Sequence, residues 1–289
     1  MKTIAALLLV ATVLAAPAAA APGRAMFDLT LGSTNGTPDG NVCAAGITCT
    51  YVPSVGALAP ALIVPFNGTV TGFSVRSGSE GGEVALNVLR GEGGTFRSVR
   101  KSRPAPLALG LNTFKIVVPV RKGDVLGLDN YSSALIFTHL PGDPLGVTAI
   151  FQPALDPGRT DPPSGVVTDQ RLLMSATLHS TPPVVKAFKQ SARVWRELGT
   201  RGRTGIPVGT TFSFRLNQAA NGSLLFTRGG RGFGRVAVRG KGGLNAIRFA
   251  GELASGRLLQ PGRYSVRVTV ENEAGDAATS KLLAFLIVG

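Results

Sequence analysis

The residue types best suited to direct chemistry are concentrated in one short stretch, Arg228-Gly229-Gly230-Arg231-Gly232-Phe233-Gly234-Arg235. Guanidinium groups spaced by Gly, with an aromatic between them, can contact phosphates and stack on bases. The same residues also build a hairpin loop in which Gly supplies positive φ and Arg stays solvated. The hairpin is preferred, because no specific nucleic acid is an expected partner of an exported chain. Arg228, Arg231 and Arg235 are then candidate anion-binding residues that draw anionic envelope polymers by charge.

Catalytic constellations are hard to assemble. His139 and His179 are the two histidines, both on expected strands, and no G-x-S-x-G elbow or H-E-x-x-H motif accompanies them. Positions at the surface or the core edge are the simpler assignment. Paired carboxylates for glycoside hydrolysis must face each other across a cleft. Asp124 and Asp129 are the nearest such pair, but they flank a hairpin, and turn formation already accounts for Asp124. Glu80 and Glu83 sit in a Gly-rich loop and serve solvation. Asp156 and Asp161 could lend oxygens to a calcium ion, yet no D-x-D-x-D spacing supports them, so no metal is expected.

Cys43 and Cys49 are the only cysteines, and in an exported chain so close a pair predicts a disulfide. With no His nearby they make a poor zinc site. The N-x-S/T triplets at Asn35, Asn67, Asn130 and Asn221 are expected to be turns. No cofactor and no enzymatic activity are expected. A cryptic extracellular hydrolase is the alternative, with its residues gathered only in space.

The elements that must position these residues begin after a leader. Lys2, an apolar run over residues 4–14 and small residues over 16–21 predict a signal peptide covering residues 1–21. No Cys follows closely enough for lipid attachment, and no twin-Arg pair precedes the run. No other segment offers the roughly 20 apolar residues of a spanning helix, so no transmembrane anchor is expected. Thirty-eight Gly and 19 Pro interrupt the chain too often for long helices, while Val, Thr and Phe recur in short runs that favour strands. From Val184 onward there are 17 Lys and Arg against 5 Asp and Glu, a net charge of +12, while the rest of the chain carries +2. That asymmetry separates two domains and marks the second for anionic partners.

Residues 22–179 show about eight closely spaced strand signals and predict a jelly-roll-like sandwich. Among them are residues 62–66 running into an Asn67-Gly68 hairpin turn, and residues 112–120 with Phe114, Ile116, Val118 and Val120 on one face. A Pro/Gly-rich loop over residues 152–165 interrupts the series. Residues 180–186 form the linker, and residues 187–289 carry about seven more strands in a basic sandwich. Residues 184–195 fit either a helix or a bent strand, and the strand is preferred. Residues 259–276 are the clearest element. Pro261-Gly262 makes a turn, Tyr264, Val266, Val268 and Val270 share one face, and a second turn follows at residues 272–276. Tyr264 is placed to return its hydroxyl to nearby backbone as a tyrosine corner.

Phe188, Trp195-Arg196, Thr211-Phe212-Ser213-Phe214, Phe226-Thr227-Arg228, residues 259–264 and Phe285-Leu286-Ile287-Val288 come in an order that resembles a C-terminal module of exported actinobacterial proteins. The resemblance covers about a third of the chain. It implies an Ig-like sandwich outside the cytoplasm and no known chemistry. Members often carry Cys where this chain has residues 229–243, and A-x-D-x-A-G-N where it has residues 270–276. The first domain resembles jelly-roll modules in strand rhythm and in the hairpin over residues 121–128. The expected role is an exported, non-catalytic one in adhesion, glycan binding or envelope structure. Binding of anionic polymers through the Arg-rich second domain is the alternative to it.

Overall fold

The computed structural model describes residues 28–43, 46–53, 62–139, 147–197 and 205–289. The leader expected over residues 1–21 lies outside them. In chain order the first fourteen strands are β1 (Asp28–Ser33), β2 (Cys49–Pro53), β3 (Gly68–Ser77), β4 (Glu83–Glu92), β5 (Thr95–Lys101), β6 (Ala105–Pro106), β7 (Gly110–Val120), β8 (Val125–Asn130), β9 (Phe137–His139), β10 (Thr148–Phe151), β11 (Thr160–Asp161), β12 (Gly165–Val167), β13 (Gln170–Leu172) and β14 (Met174–Ser180). Nine more follow: β15 (Val185–Gln190), β16 (Val194–Arg196), β17 (Thr210–Leu216), β18 (Ala220–Arg228), β19 (Arg231–Gly240), β20 (Gly243–Phe249), β21 (Gly262–Glu271), β22 (Ala277–Thr279) and β23 (Leu283–Val288). No α-helix occurs among the described residues. The chain is all-β and built of sandwiches.

In the first unit a four-stranded sheet, β1-β14-β3-β7, faces an eight-stranded one, β11-β5-β4-β8-β2-β10-β12 with β6 on β4. Alternation supplies the core between them: Val70, Phe73, Val75, Met174, Ala176 and Leu178 from one sheet meet Tyr51, Val84, Leu86, Leu126 and Leu128 from the other. Cys43 and Cys49 form the expected disulfide, with Cα atoms 6.0 Å apart.

Two expectations for this unit change. Residues 62–66 do not run as a strand into a hairpin at Asn67-Gly68. Ile63 makes an isolated bridge to Val125, and Val64 exchanges backbone hydrogen bonds with the turn through Gly123 and Asp124. Gly68 opens β3 against Val120 and Ser180. The position favours glycine because a Cβ there would lie 2.3 Å from the His179 carbonyl oxygen, so the dipeptide reflects close approach and not a primed turn. The expected loop over residues 152–165 is the other change. It holds β11, which pairs with β5, and its Ala154 and Leu155 are buried. Together with Val52, Leu89, Val125 and Phe151, Leu155 forms a second small core on the outer face of the large sheet. The segment is a third layer, which is why β8 is buried on both faces.

The second unit packs β15-β17-β20 against β16-β23-β21-β18-β19, with β22 on β21. The segment whose spacing fits either a helix or a bent strand forms two strands, β15 and β16, with Trp195 buried in β16, which runs parallel to β23. The core is aromatic: Phe188, Phe212, Phe214 and Phe249 from one sheet meet Trp195, Phe226, Tyr264 and Phe285 from the other. Tyr264 enters β21 as expected, its ring buried and its hydroxyl donating to the Gln260 carbonyl at 2.8 Å. Tyr264→Phe is expected to lower stability by about 0.5–1.5 kcal/mol through that bond, measured as a chemical-denaturation midpoint; an unchanged midpoint contradicts this.

Only four residues, 181–184, connect β14 to β15. The second unit holds them through side-chain amides. Asn217 Nδ2 donates to the Pro182 carbonyl at 3.1 Å, and Asn272 Nδ2 donates to that of Thr181 at 3.0 Å.

Candidate functional site

The residues first considered for catalysis are scattered. Asp124 ends the turn before β8 and Asp129 lies near the far end of that strand, five residues on and so roughly 17 Å away at about 3.4 Å per residue. Asp124 pairs with Arg90 at 2.7 Å and accepts the Arg121 N–H at 2.8 Å. Asp129 is fully buried. His139 is exposed, and its backbone N–H donates to Asp39 at 3.0 Å. His179 Nδ1 lies 2.5 Å from Asp28 Oδ1, tying β14 to β1. Among the described residues no group of three or more His, Cys, Asp or Glu could hold a metal ion. Asp156 is engaged by Lys101, and Asp161 by Arg159.

The most heavily buried polar cluster lies under the strap of residues 152–165. Lys101 Nζ sits 2.6 Å from Asp129 Oδ2 and 3.1 Å from Asp156 Oδ1. Asp129 Oδ1 accepts the Thr50 hydroxyl at 2.6 Å and Asn87 Nδ2 at 3.0 Å, while Tyr131 donates to Oδ2 at 3.3 Å. Asn87 also donates to the Leu155 carbonyl at 3.0 Å, and the Leu155 N–H donates to Thr50 Oγ1 at 2.8 Å. Burial opposes the charge on Lys101. The hydrogen bond and attraction from Asp129, aided by Asp156 and Tyr131, outweigh it and raise the ammonium pKa. A lysine held this firmly protonated is no general base. Every member is hydrogen-bonded within the cluster, so its chemistry is that of a latch fastening the strap to the sheet.

The three arginines singled out by sequence do not form one group. β18 and β19 make a hairpin whose turn is Gly229-Gly230, both at positive φ (57° and 79°). Arg228 and Arg231 face each other across that turn, and Arg228 lies over the Tyr264 ring at 5.4 Å. A bulge at Phe226/Thr227 then shifts the register, and Arg235 projects from the opposite face of the sheet, opposite outward-facing Leu225. It is joined there by arginines that sequence reasoning did not group with it. Alternation along β19 and β21 exposes Arg235, Arg239, Arg263 and Arg267 on that one outer face. The available signal was two strands that each carry outward arginines four residues apart. None of the four is paired with a carboxylate among the described residues.

At one end the face dips into a shallow depression of about 680 Å³, lined by Arg193 and Arg263 with Thr227, Ser265, Ala284 and Leu286. Its lining includes no Asp or Glu. Glu271 is the one carboxylate along the outer face of β21, at the far end. The arrangement is an open, cationic, hydroxyl-bearing surface.

No protein-family model matches the chain, and no curated protein matches it. Among solved structures, dimeric latent PorU from Porphyromonas gingivalis is similar at 12% identity and a TM-score of 0.30, over 73% of this chain and 30% of that one. A GH2 beta-galacturonidase from Eisenbergiella tayi, bound to galacturonate, is similar at 10% identity and a TM-score of 0.20, over 90% of this chain and 44% of that one. The chain thus spans less than half the length of either. Likeness of this degree supports no statement about activity or ligand.

Proposed function

We propose that the chain is an exported, non-catalytic protein of the cell envelope that binds anionic polymers through the outer face of the second unit's larger sheet. The observation that carries this reading is the set of four exposed guanidinium groups on one face, Arg235, Arg239, Arg263 and Arg267, none of them paired with a carboxylate among the described residues. A disulfide suits an oxidising compartment, and among the described residues no helix is long and apolar enough to cross a membrane. The second unit is, in this reading, an Ig-like module of the exported type that its sequence resembles, and the first unit is a scaffold. Non-catalytic character is supported by the separation of Asp124 from Asp129 and by the engagement of the buried carboxylate with Lys101.

Counterion release makes such binding steeply salt-dependent. Four phosphate-like or carboxylate-like contacts predict an affinity loss of about 50- to 150-fold between about 50 and 200 mM salt, on the slope known for charged polymers. Titrating the protein with a fluorescent polyanion such as dextran sulfate across that range measures it. Affinity that is independent of salt, or no association at low salt, would sink the proposal.

A further inference from the structure

Register places the arginines of the outer face in two columns. Leu225 of β18 is opposite Arg235 of β19 on one side and Arg267 of β21 on the other. Two strand spacings separate the columns by about 10 Å, and four residues separate successive arginines within a column by about 14 Å. Between the columns runs the outward row of β18: Asn221, Ser223, Leu225 and Thr227. On the β21 side Ser265 and Thr269 extend this floor of hydroxyl groups, and Thr269 Oγ1 lies 3.2 Å from Thr279 Oγ1. The row ends at the depression between Arg193 and Arg263. No aromatic side chain projects from the outer rows of β18, β19 and β21.

Resting on the polyanion-binding reading above, we infer that this row is a channel for one linear, carboxylate-bearing polysaccharide lying along β18. Charge complementarity sets the sign of the occupant: Arg235 and Arg267 flank Leu225, Arg263 stands beyond the Thr227 end, and the one acidic group of the walls is Glu271, which faces Arg239 across Asn221. The floor sets its class. Side-chain amide and hydroxyl groups can exchange hydrogen bonds with sugar hydroxyls, which a polyphosphate does not have. Along the outer rows of β18, β19 and β21 the bases of a nucleic acid would find no ring to stack on. The walls are Arg and not Lys, and the planar guanidinium fork matches a carboxylate with two parallel hydrogen bonds.

Alginate oligomers, titrated by calorimetry against the full chain at low salt, test the channel. Two double variants remove equal charge from different places: Arg235→Ser with Arg267→Ser from the channel walls, and Arg228→Ser with Arg231→Ser from the hairpin tip. All four side chains are exposed, and a retained melting temperature verifies folding. The wall variant is expected to weaken alginate binding by at least about tenfold, as loss of charge-assisted hydrogen bonds does, and the tip variant by less than about threefold. Ser223→Ala with Thr227→Ala keeps every charge and is expected to weaken alginate binding while leaving polyphosphate binding unchanged. Equal losses for the two arginine doubles, or polyphosphate binding as tight as alginate at matched charge, would overturn the channel while leaving polyanion binding in place. Failure to bind any polyanion overturns both.

Discussion

Lys101→Met is expected to cost about 3–5 kcal/mol of stability, the range for breaking a buried ion pair from one side. The side chain of Lys101 is 11% exposed and that of Asp129 is 0% exposed, so removal of the ammonium leaves a carboxylate that water cannot reach. Thr50, Asn87 and Tyr131 still donate to it, which keeps the cost within that range. The Lys101–Asp156 contact adds little, because Asp156 is 79% exposed and solvent screens it. The double variant Lys101→Met with Asp129→Asn removes the stranded charge and is expected to recover part of the loss. Equal losses for single and double variants would show that the charge is not the cause. The same pair shapes the alkaline limb. A lysine pKa raised by folding gives stability that is complete below about pH 10.4 and is lost as pH rises through the folded value. Burial raises Tyr131 and pushes Tyr51 from 10.0 up to about 12, and both act in the same direction because the unfolded chain yields those protons first. Urea midpoints should therefore hold to about pH 9 and fall above about pH 10, with a shallower fall in Lys101→Met.

The latch also marks where one-dimensional reading stops. Where one face is buried, the other is wet and no bulge intervenes, the alternation was plain from the residues; the bulge after Val70 in β3 puts Val70, Phe73 and Val75 into one core against strict alternation. Tyr264, Val266, Val268 and Val270 alternate into the core as their spacing predicts, and the Tyr264 hydroxyl finds its backbone acceptor. β4 and β8 bury both faces, so Asn87 and Asp129 sit at positions that a two-layer sandwich would leave in solvent. Only the strap of residues 152–165 makes them interior, and its Pro- and Gly-rich composition gives no periodicity to announce that it covers a sheet. The basic face escaped for a different reason. Arg228, Arg231 and Arg235 are adjacent in sequence, but the bulge at Phe226/Thr227 turns Arg235 to the other side. Arg263 and Arg267 lie some thirty residues away (by the numbering), and pairing them with Arg235 requires the register of both neighbours of β18, which no local pattern contains.

Phe212→Ala is the second large effect, about 3–5 kcal/mol for truncating a fully buried aromatic. Phe212 is the centre of the second core. Its ring lies 6.0 Å from those of Phe188 and Phe249, and 6.1 Å from those of Phe226 and Phe285, so a cavity there removes neighbours from both sheets at once. The loss is expected to stay within the second unit, because the buried members of the two cores are separate sets. Between the units run an exposed Lys122–Glu273 pair at 2.6 Å, the Asn67–Gln218 hydrogen bond at 3.2 Å and the packing of Ala274 against the first core. An exposed ion pair contributes only about 0–1 kcal/mol, too little to carry a defect of this size across. Trp195, the single tryptophan, is buried beside Phe285 at 5.5 Å and reports on this core alone. Its fluorescence transition is expected to fall by more than about 10 °C, while the calorimetric transition of the disulfide-bearing unit stays in place. If both transitions move together, the seam couples the two cores more strongly than its few polar contacts can account for, and the pair of sandwiches unfolds as one cooperative body.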